Sequence, residues 1–148
     1  MGFVRRWTML STLLPATLLA GPPAHFDVQA SFVPPSKANA NAAIAVFFTA
    51  KDPDVRINED PAPRLKLDAA QTVLVERPAP KLEAASSDPG TPRYLDLAAP
   101  VRFPVNLGPA ASKGTHLVKA SVAYFYCSKR EGWCRKGTTD IEVPVLLK

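Results

Sequence analysis

Two cysteines are the residues of this chain whose type and spacing suggest covalent chemistry. Cys127 and Cys134 stand in the stretch YFYCSKREGWCRKG, Tyr124 to Gly137, with six residues between them, and the 148-residue chain has no other cysteine. A pair so spaced serves either as a structural crosslink or as a dithiol that gains and loses electrons. If Thr115 to Tyr126 and roughly Arg135 to Leu147 pair as the last hairpin, the two cysteines face each other across its end. Opposed strand positions bring Cα atoms to the separation, around 5.5 Å, that a disulfide favours. The bridge would close a ring of about eight residues, which contributes roughly 2.5 kcal/mol in the chain-entropy account, the low end for crosslinks. A domain of this size does not need it. Lys129, Arg130, Arg135 and Lys136 flank the sulfurs, and positive charge favours the thiolate that performs exchange, whereas Glu131 opposes the effect. Trp133 and the aromatic run before Cys127 either shield a disulfide from unintended reductants or pack as ordinary strand residues.

Other chemistries find little support. His116 alternates with Val118 on an expected strand, and no Gly-x-Ser-x-Gly motif accompanies it, which argues against a hydrolase. Two cysteines and one histidine match no familiar metal spacing, and phosphate-binding glycine loops are absent, so neither metal nor cofactor is expected. The carboxylates of NED and KDPD sit in turn-rich segments, where Asp and Asn ordinarily serve backbone geometry. Eighteen Lys and Arg against thirteen Asp and Glu give a net charge of +5. Acidic and basic residues interleave along KDPDVRINEDPAPRLKLD without an aromatic-rich basic patch, so no nucleic-acid partner is expected.

The elements that must position the pair are short. Sixteen prolines argue against long helices, because proline removes a donor and clashes with the preceding turn. AAIAVFFTA (Ala42 to Ala50), DVRIN, RLKLD, TVLVE, YLDLA and VRFPVNL read as strands, and the longest signals come last, in THLVKASVAYFYC and TDIEVPVLL. Seven or eight short strands with turn chemistry between them predict an all-β fold, an immunoglobulin-like β-sandwich.

The N-terminus reads differently. Arg5 and Arg6 precede an apolar run, Thr8 to Ala20, too short to span a bilayer, and small-residue sites follow. This is the pattern of a secretory signal peptide over residues 1–30, cleaved after Ala30, with Ala20 as the rival site. Removal takes away two arginines and Asp27, which leaves 118 residues and a charge of +4. Residues 31–41 are expected to be an extended lead-in to a domain spanning 42–148. Export to the periplasm or another extracytoplasmic compartment is also where an even pair of cysteines is expected to join.

The segment from about Asp54 to Lys148 resembles the periplasmic N-terminal domain of the thiol:disulfide interchange protein family DsbD. The shared features are the extended VRINEDPAPRLKLD segment, a late aromatic strand running into a Cys, a short loop, a second Cys and a terminal VPV strand. The family's usual inter-cysteine loop is one residue shorter and its second Cys precedes Tyr-Pro-Pro, where this chain has RKG (Arg135 to Gly137). The spacing here is nearer to that of the DsbD-like domains of NHL-repeat and thioredoxin-like proteins. The resemblance implies an immunoglobulin-like fold and a redox pair, Cys127 and Cys134. It further implies as partner a thioredoxin-like protein, a membrane thiol:disulfide electron-transfer protein, or both. It also implies a cap loop over the disulfide, for which Ile57 to Pro63 and Lys81 to Arg93 are the candidates. The other open assignment is a non-catalytic binding or assembly β-sandwich whose disulfide clamps its last hairpin. Which sulfur is attacked is not readable from the sequence.

Overall fold

Period-two alternation of apolar and polar residues, interrupted by proline-rich turns, builds strands throughout the domain. The computed structural model describes residues 24–36, 41–77 and 93–148, and no helix occurs among them. The strands are β1 (Phe26–Val33), β2 (Ala42–Ala50), β3 (Val55–Ile57), β4 (Arg64–Leu67), β5 (Leu74–Glu76), β6 (Val101–Leu107), β7 (Gly114–Ser128) and β8 (Cys134–Leu147). They form two antiparallel sheets. One has the order β1-β2-β6-β5, and in the other β7 pairs with β8, β3 and β4.

The ladder between β7 and β8 runs from Gly114↔Leu147 to Cys127↔Cys134, in the register expected for the last hairpin. A strand has two edges, so β3 and β4 must share the other edge of β7, end to end. β3 lies against Tyr126 to Ser128, and β4 lies against Ala120 to Ala123. Between them the chain leaves the ladder after the Asn58 N–H donates to the Phe125 carbonyl (2.8 Å). The excursion carries a cis Asp60–Pro61 bond before the chain rejoins at Arg64.

Alternate residues of both sheets meet in one core. Val118, Ala120, Val122 and Tyr124 of β7 and Ile141, Val143 and Val145 of β8 supply one wall; Phe26, Ile44, Val46, Phe48, Phe103 and Val105 supply the other. Each large side chain removed from water contributes about 1.5–3 kcal/mol. Outward positions of the same strands are mostly exposed, as the alternation requires.

β1 corrects the expected boundaries. Phe26–Val33, divided in the sequence reading between a removable segment and a lead-in, pairs residue for residue with β2 from Phe26↔Ala50 to Val33↔Ala43. Phe26 is buried, and Val28, Ala30 and Phe32 pack against the same core. Cleavage after Ala30 would divide this strand, whereas cleavage after Ala20 leaves it whole. A smaller correction concerns YLDLA, whose pairing is limited to the bridge Asn58↔Tyr94.

The RKG that follows Cys134 has a packing role. Gly137 lies opposite Tyr124 in the ladder, and a Cβ built on it would stand 2.6 Å from the ring carbon Cζ. The Tyr124 ring cannot easily retreat, because Phe48 and Phe26 pack edge-on against it at centroid distances of 5.2 and 5.8 Å.

Gly137→Ala is therefore expected to cost about 1–3 kcal/mol by overpacking, read as a lowered urea midpoint. The cost should largely vanish in a Tyr124→Leu background; if it persists there, the ring is not its cause. A chain beginning at Ser31 lacks Phe26 and five of the eight β1–β2 pairs. It is expected to be at least about 3 kcal/mol less stable than one beginning at Gly21, and equal midpoints would show that β1 adds nothing to the stable domain.

Candidate functional site

The turn between β7 and β8 sets the geometry of the cysteine pair. Ser128 N–H donates to the Trp133 carbonyl (2.9 Å) and Gly132 N–H to the Ser128 carbonyl (3.0 Å), which closes the hairpin over residues 129–132. Gly132 has φ +71°, a conformation that side-chain-bearing residues seldom adopt, so this glycine makes the turn possible. The loop proper is thus shorter than the spacing between the cysteines.

One pair below this closure, Cys127 and Cys134 face each other with Cα atoms 4.0 Å apart and are joined by a disulfide. Short separations of this kind belong to the pairs of an antiparallel ladder that exchange no hydrogen bonds. Burial divides the two sulfur-bearing residues. Cys127 is 6% exposed, whereas Cys134 lies on the exposed side of the hairpin tip.

Cys127 is covered in part by the excursion between β3 and β4. Asn58 Oδ1 lies 3.3 Å from Cys127 Sγ. In the disulfide that sulfur carries no proton, so the contact is one of packing; in the reduced chain the same oxygen stands ready to accept from the Cys127 thiol. Of the two segments proposed as covers, Ile57 to Pro63 thus reaches the disulfide through Asn58. Residues 81–92 of the other lie outside the described residues, and its last residue, Arg93, pairs with Glu59 (2.9 Å).

The tip is tied down by a residue that sequence reasoning did not single out. The Asp54 carboxylate accepts the Ser128 hydroxyl and the Arg130 N–H (3.0 Å), while the Asp54 carbonyl accepts the Lys129 N–H (3.3 Å). Ser128 Oγ in turn accepts the Glu131 N–H (3.1 Å). The Ser128 hydroxyl holds the Asp54 carboxyl below its ordinary value of 3.8 against the opposing effect of burial, with lesser help from the Arg130 N–H and the nearby Arg130 and Lys129 charges. The KDPD motif carries a turn signal, since Asp54 N–H donates to Asp52 Oδ1 (3.0 Å). Nothing in it announces a partner 76 positions later.

The aromatic residues close the end of the core rather than cover the sulfurs. Trp133 packs against His25 and Tyr126, with ring centroids 5.5 and 5.8 Å away, and Tyr126 continues the cluster to Phe26 at 5.7 Å. By strand alternation Tyr124 and Tyr126 point into the molecule, while Cys127 belongs to the opposite face. Arg135 stacks 4.3 Å from the centre of the Trp133 ring, and Lys129 lies 5.4 Å from that of Tyr94. An open cleft lined in part by Ala50, Pro53, Arg56, Tyr94 and Leu97 adjoins this region, and neither cysteine lines it. His116 sits near the far end of β7, where its Nε2–H donates to the Ser112 carbonyl (2.8 Å).

The lowered Asp54 carboxyl links the tip to pH. The unfolded chain takes up this proton at a higher pH than the folded chain, so stability rises with pH across the interval between the two values. The contribution is fully present above about pH 4 and is lost as pH falls through the lower, folded value. Asp54→Asn should therefore destabilise the domain at pH 7, and its deficit relative to the parent should shrink near pH 3. Urea titrations at both pH values check this, and a deficit of unchanged size would mean that the charge is not what anchors the tip.

No protein-family model, no curated protein and no solved structure matches this chain.

Proposed function

We propose that this chain is an extracytoplasmic thiol:disulfide exchange domain that passes reducing equivalents to or from a thioredoxin-like partner through Cys127 and Cys134. The observation that carries the proposal is the position of the bond. It closes a hairpin tip already held by the Ser128–Trp133 hydrogen bond, by Gly132 and by Asp54, and it leaves Cys134 exposed. A crosslink worth roughly 2.5 kcal/mol adds little where the backbone is fixed by other means. An exposed cysteine beside a buried one suits ordered exchange.

The reaction balances as follows. A partner thiolate attacks Cys134 Sγ, the Cys127–Cys134 bond breaks, and its electron pair leaves on Cys127 as thiolate. The partner's second thiol, once deprotonated, then attacks its own sulfur in the mixed disulfide and releases Cys134 as thiolate. The domain gains two electrons and, after protonation, two protons; the partner becomes the disulfide. Run in reverse, the same steps reduce the partner. Asn58 is placed to accept from Cys127 when that sulfur is protonated.

The fold belongs to the same proposal. With β3 and β4 counted as one interrupted strand, the sheets read β1-β2-β6-β5 and β3/β4-β7-β8. This order corresponds to the ABED and CFG arrangement and so supports an immunoglobulin-like sandwich, with the cysteines at the tip of its last hairpin. Export is supported by the apolar N-terminal run and by a joined cysteine pair.

A Cys127→Ser variant retains the exposed Cys134 and is expected to trap a mixed disulfide with a thioredoxin-like protein whose single reactive cysteine is first activated as its thionitrobenzoate disulfide, thionitrobenzoate leaving as the Cys134 thiolate attacks. Cys134→Ser is expected to trap at least about tenfold less. The parent pair should have a reduction potential above about −300 mV. A lower potential, together with no trapping by either variant, would leave the structural clamp of a binding or assembly module as the better assignment.

A further inference from the structure

Strand register and the turn bring positive charge from three segments beside the exposed Cys134. Arg56 lies opposite Cys127 in the β3–β7 ladder, Lys136 follows Cys134 on the same face of β8, and Lys129 and Arg130 occupy the turn. All four residues are exposed. Arg135 alternates to the opposite face, where it stacks on Trp133. The anions of the region are engaged. Asp54 accepts from Ser128 and Arg130, Glu131 accepts from Trp133 Nε1 and lies 3.9 Å from Arg130, and Asp96, which lines the adjoining cleft with Arg56, accepts the Ala98 N–H. Lys129 rests on the Tyr94 ring, a contact that holds a cation in place without cancelling its charge. The Arg56 and Lys136 side chains form no hydrogen bond or ion pair among the described residues.

Arg56, Lys129, Arg130 and Lys136 against three committed anions leave a positive surplus beside Cys134. A field of this kind concentrates anions and steers their approach. Because the attacking species in exchange is itself a thiolate, the surplus favours attack, and it favours most an attacking thiolate that arrives with further negative charge beside it. We infer that this face selects a partner protein whose reactive cysteine is bordered by acidic side chains, docking them against Arg56, Lys129 and Lys136. The inference rests on the exchange role proposed above and names the chemistry of the partner's contact surface.

Two synthetic peptides, each with one cysteine, flanked in one by glutamates and in the other by lysines, test it together with uncharged 2-mercaptoethanol. Reduction of the intact domain is followed by labelling the freed thiols, with rates compared at equal thiolate concentration. At an ionic strength of about 0.01 M the acidic peptide is expected to react at least about tenfold faster than the basic one, and the ratio should fall to about twofold or less near 1 M salt. The double variant Arg56→Glu with Lys136→Glu should abolish or reverse the preference. Both residues are exposed and have no side-chain hydrogen bond or ion pair among the described residues, so the variant is expected to keep its fold, checked by an unchanged urea midpoint. Equal rates for the two peptides, or a preference that ignores salt or survives the double variant, would overturn the charge selection while leaving exchange intact. If none of the three thiols reduces the bond at any salt concentration, exchange itself fails and the selection fails with it.

Discussion

The pairing of β7 with β8 is the constraint from which the rest of the molecule follows. One register sets Val118 against Val143 and Val122 against Thr139 at its centre, seats Tyr124 over Gly137, and brings Cys127 to Cys134 at its end. A shift by one residue would reverse the faces of one strand, taking the valines out of the core and the cysteines out of opposition. Core packing and sulfur chemistry therefore depend on the same hydrogen-bonded ladder. Because β8 occupies one edge of β7 completely, the other edge must serve both β3 and β4, and the gap between these two strands is what releases the Asn58 segment beside the disulfide.

Electrostatics acts on two scales at this end of the molecule. Asp54 is a short-range anchor whose hydrogen bonds fix the turn, and its charge is consumed locally by Ser128 and Arg130. The cations beside Cys134 act at longer range, because the Tyr94 contact orients Lys129 without neutralising it. Salt weakens the second effect far more than the first. Turn geometry and surface field are thus separable properties of one short loop.

Much of this was legible in the sequence where the physical signal is local. Ala42 to Ala50 and Val101 to Leu107 match β2 and β6 end to end, since branched and aromatic residues bounded by turn chemistry leave little choice. The hairpin and the cysteine opposition follow from alternation on both sides of a short polar loop. β1 carried the same signal, with Phe26, Val28, Ala30 and Phe32 at alternate positions. That signal overlaps a Val-x-Ala cleavage pattern, and the two demands on one stretch of chain cannot be ranked from local composition. Asp54 and Asn58 were hidden for a different reason. Their roles arise from contacts 76 and 69 positions away, and a short polar residue in a turn looks the same whether or not it has a distant partner. The unequal exposure of the cysteines depends on which strand lies beside each, which is a matter of topology and not of the intervening loop.

The placement of the disulfide within the ladder also determines what its cleavage can alter. No backbone hydrogen bond joins the Cys127–Cys134 pair in this ladder geometry, while the Ser128–Trp133 bond closes the hairpin beyond it and the ladder continues behind it to Leu147. Breaking the sulfur bond therefore leaves the backbone closed on both sides. Under the exchange role proposed above, little structure has to be rebuilt when electrons move, and a partner would have to sense the sulfurs themselves.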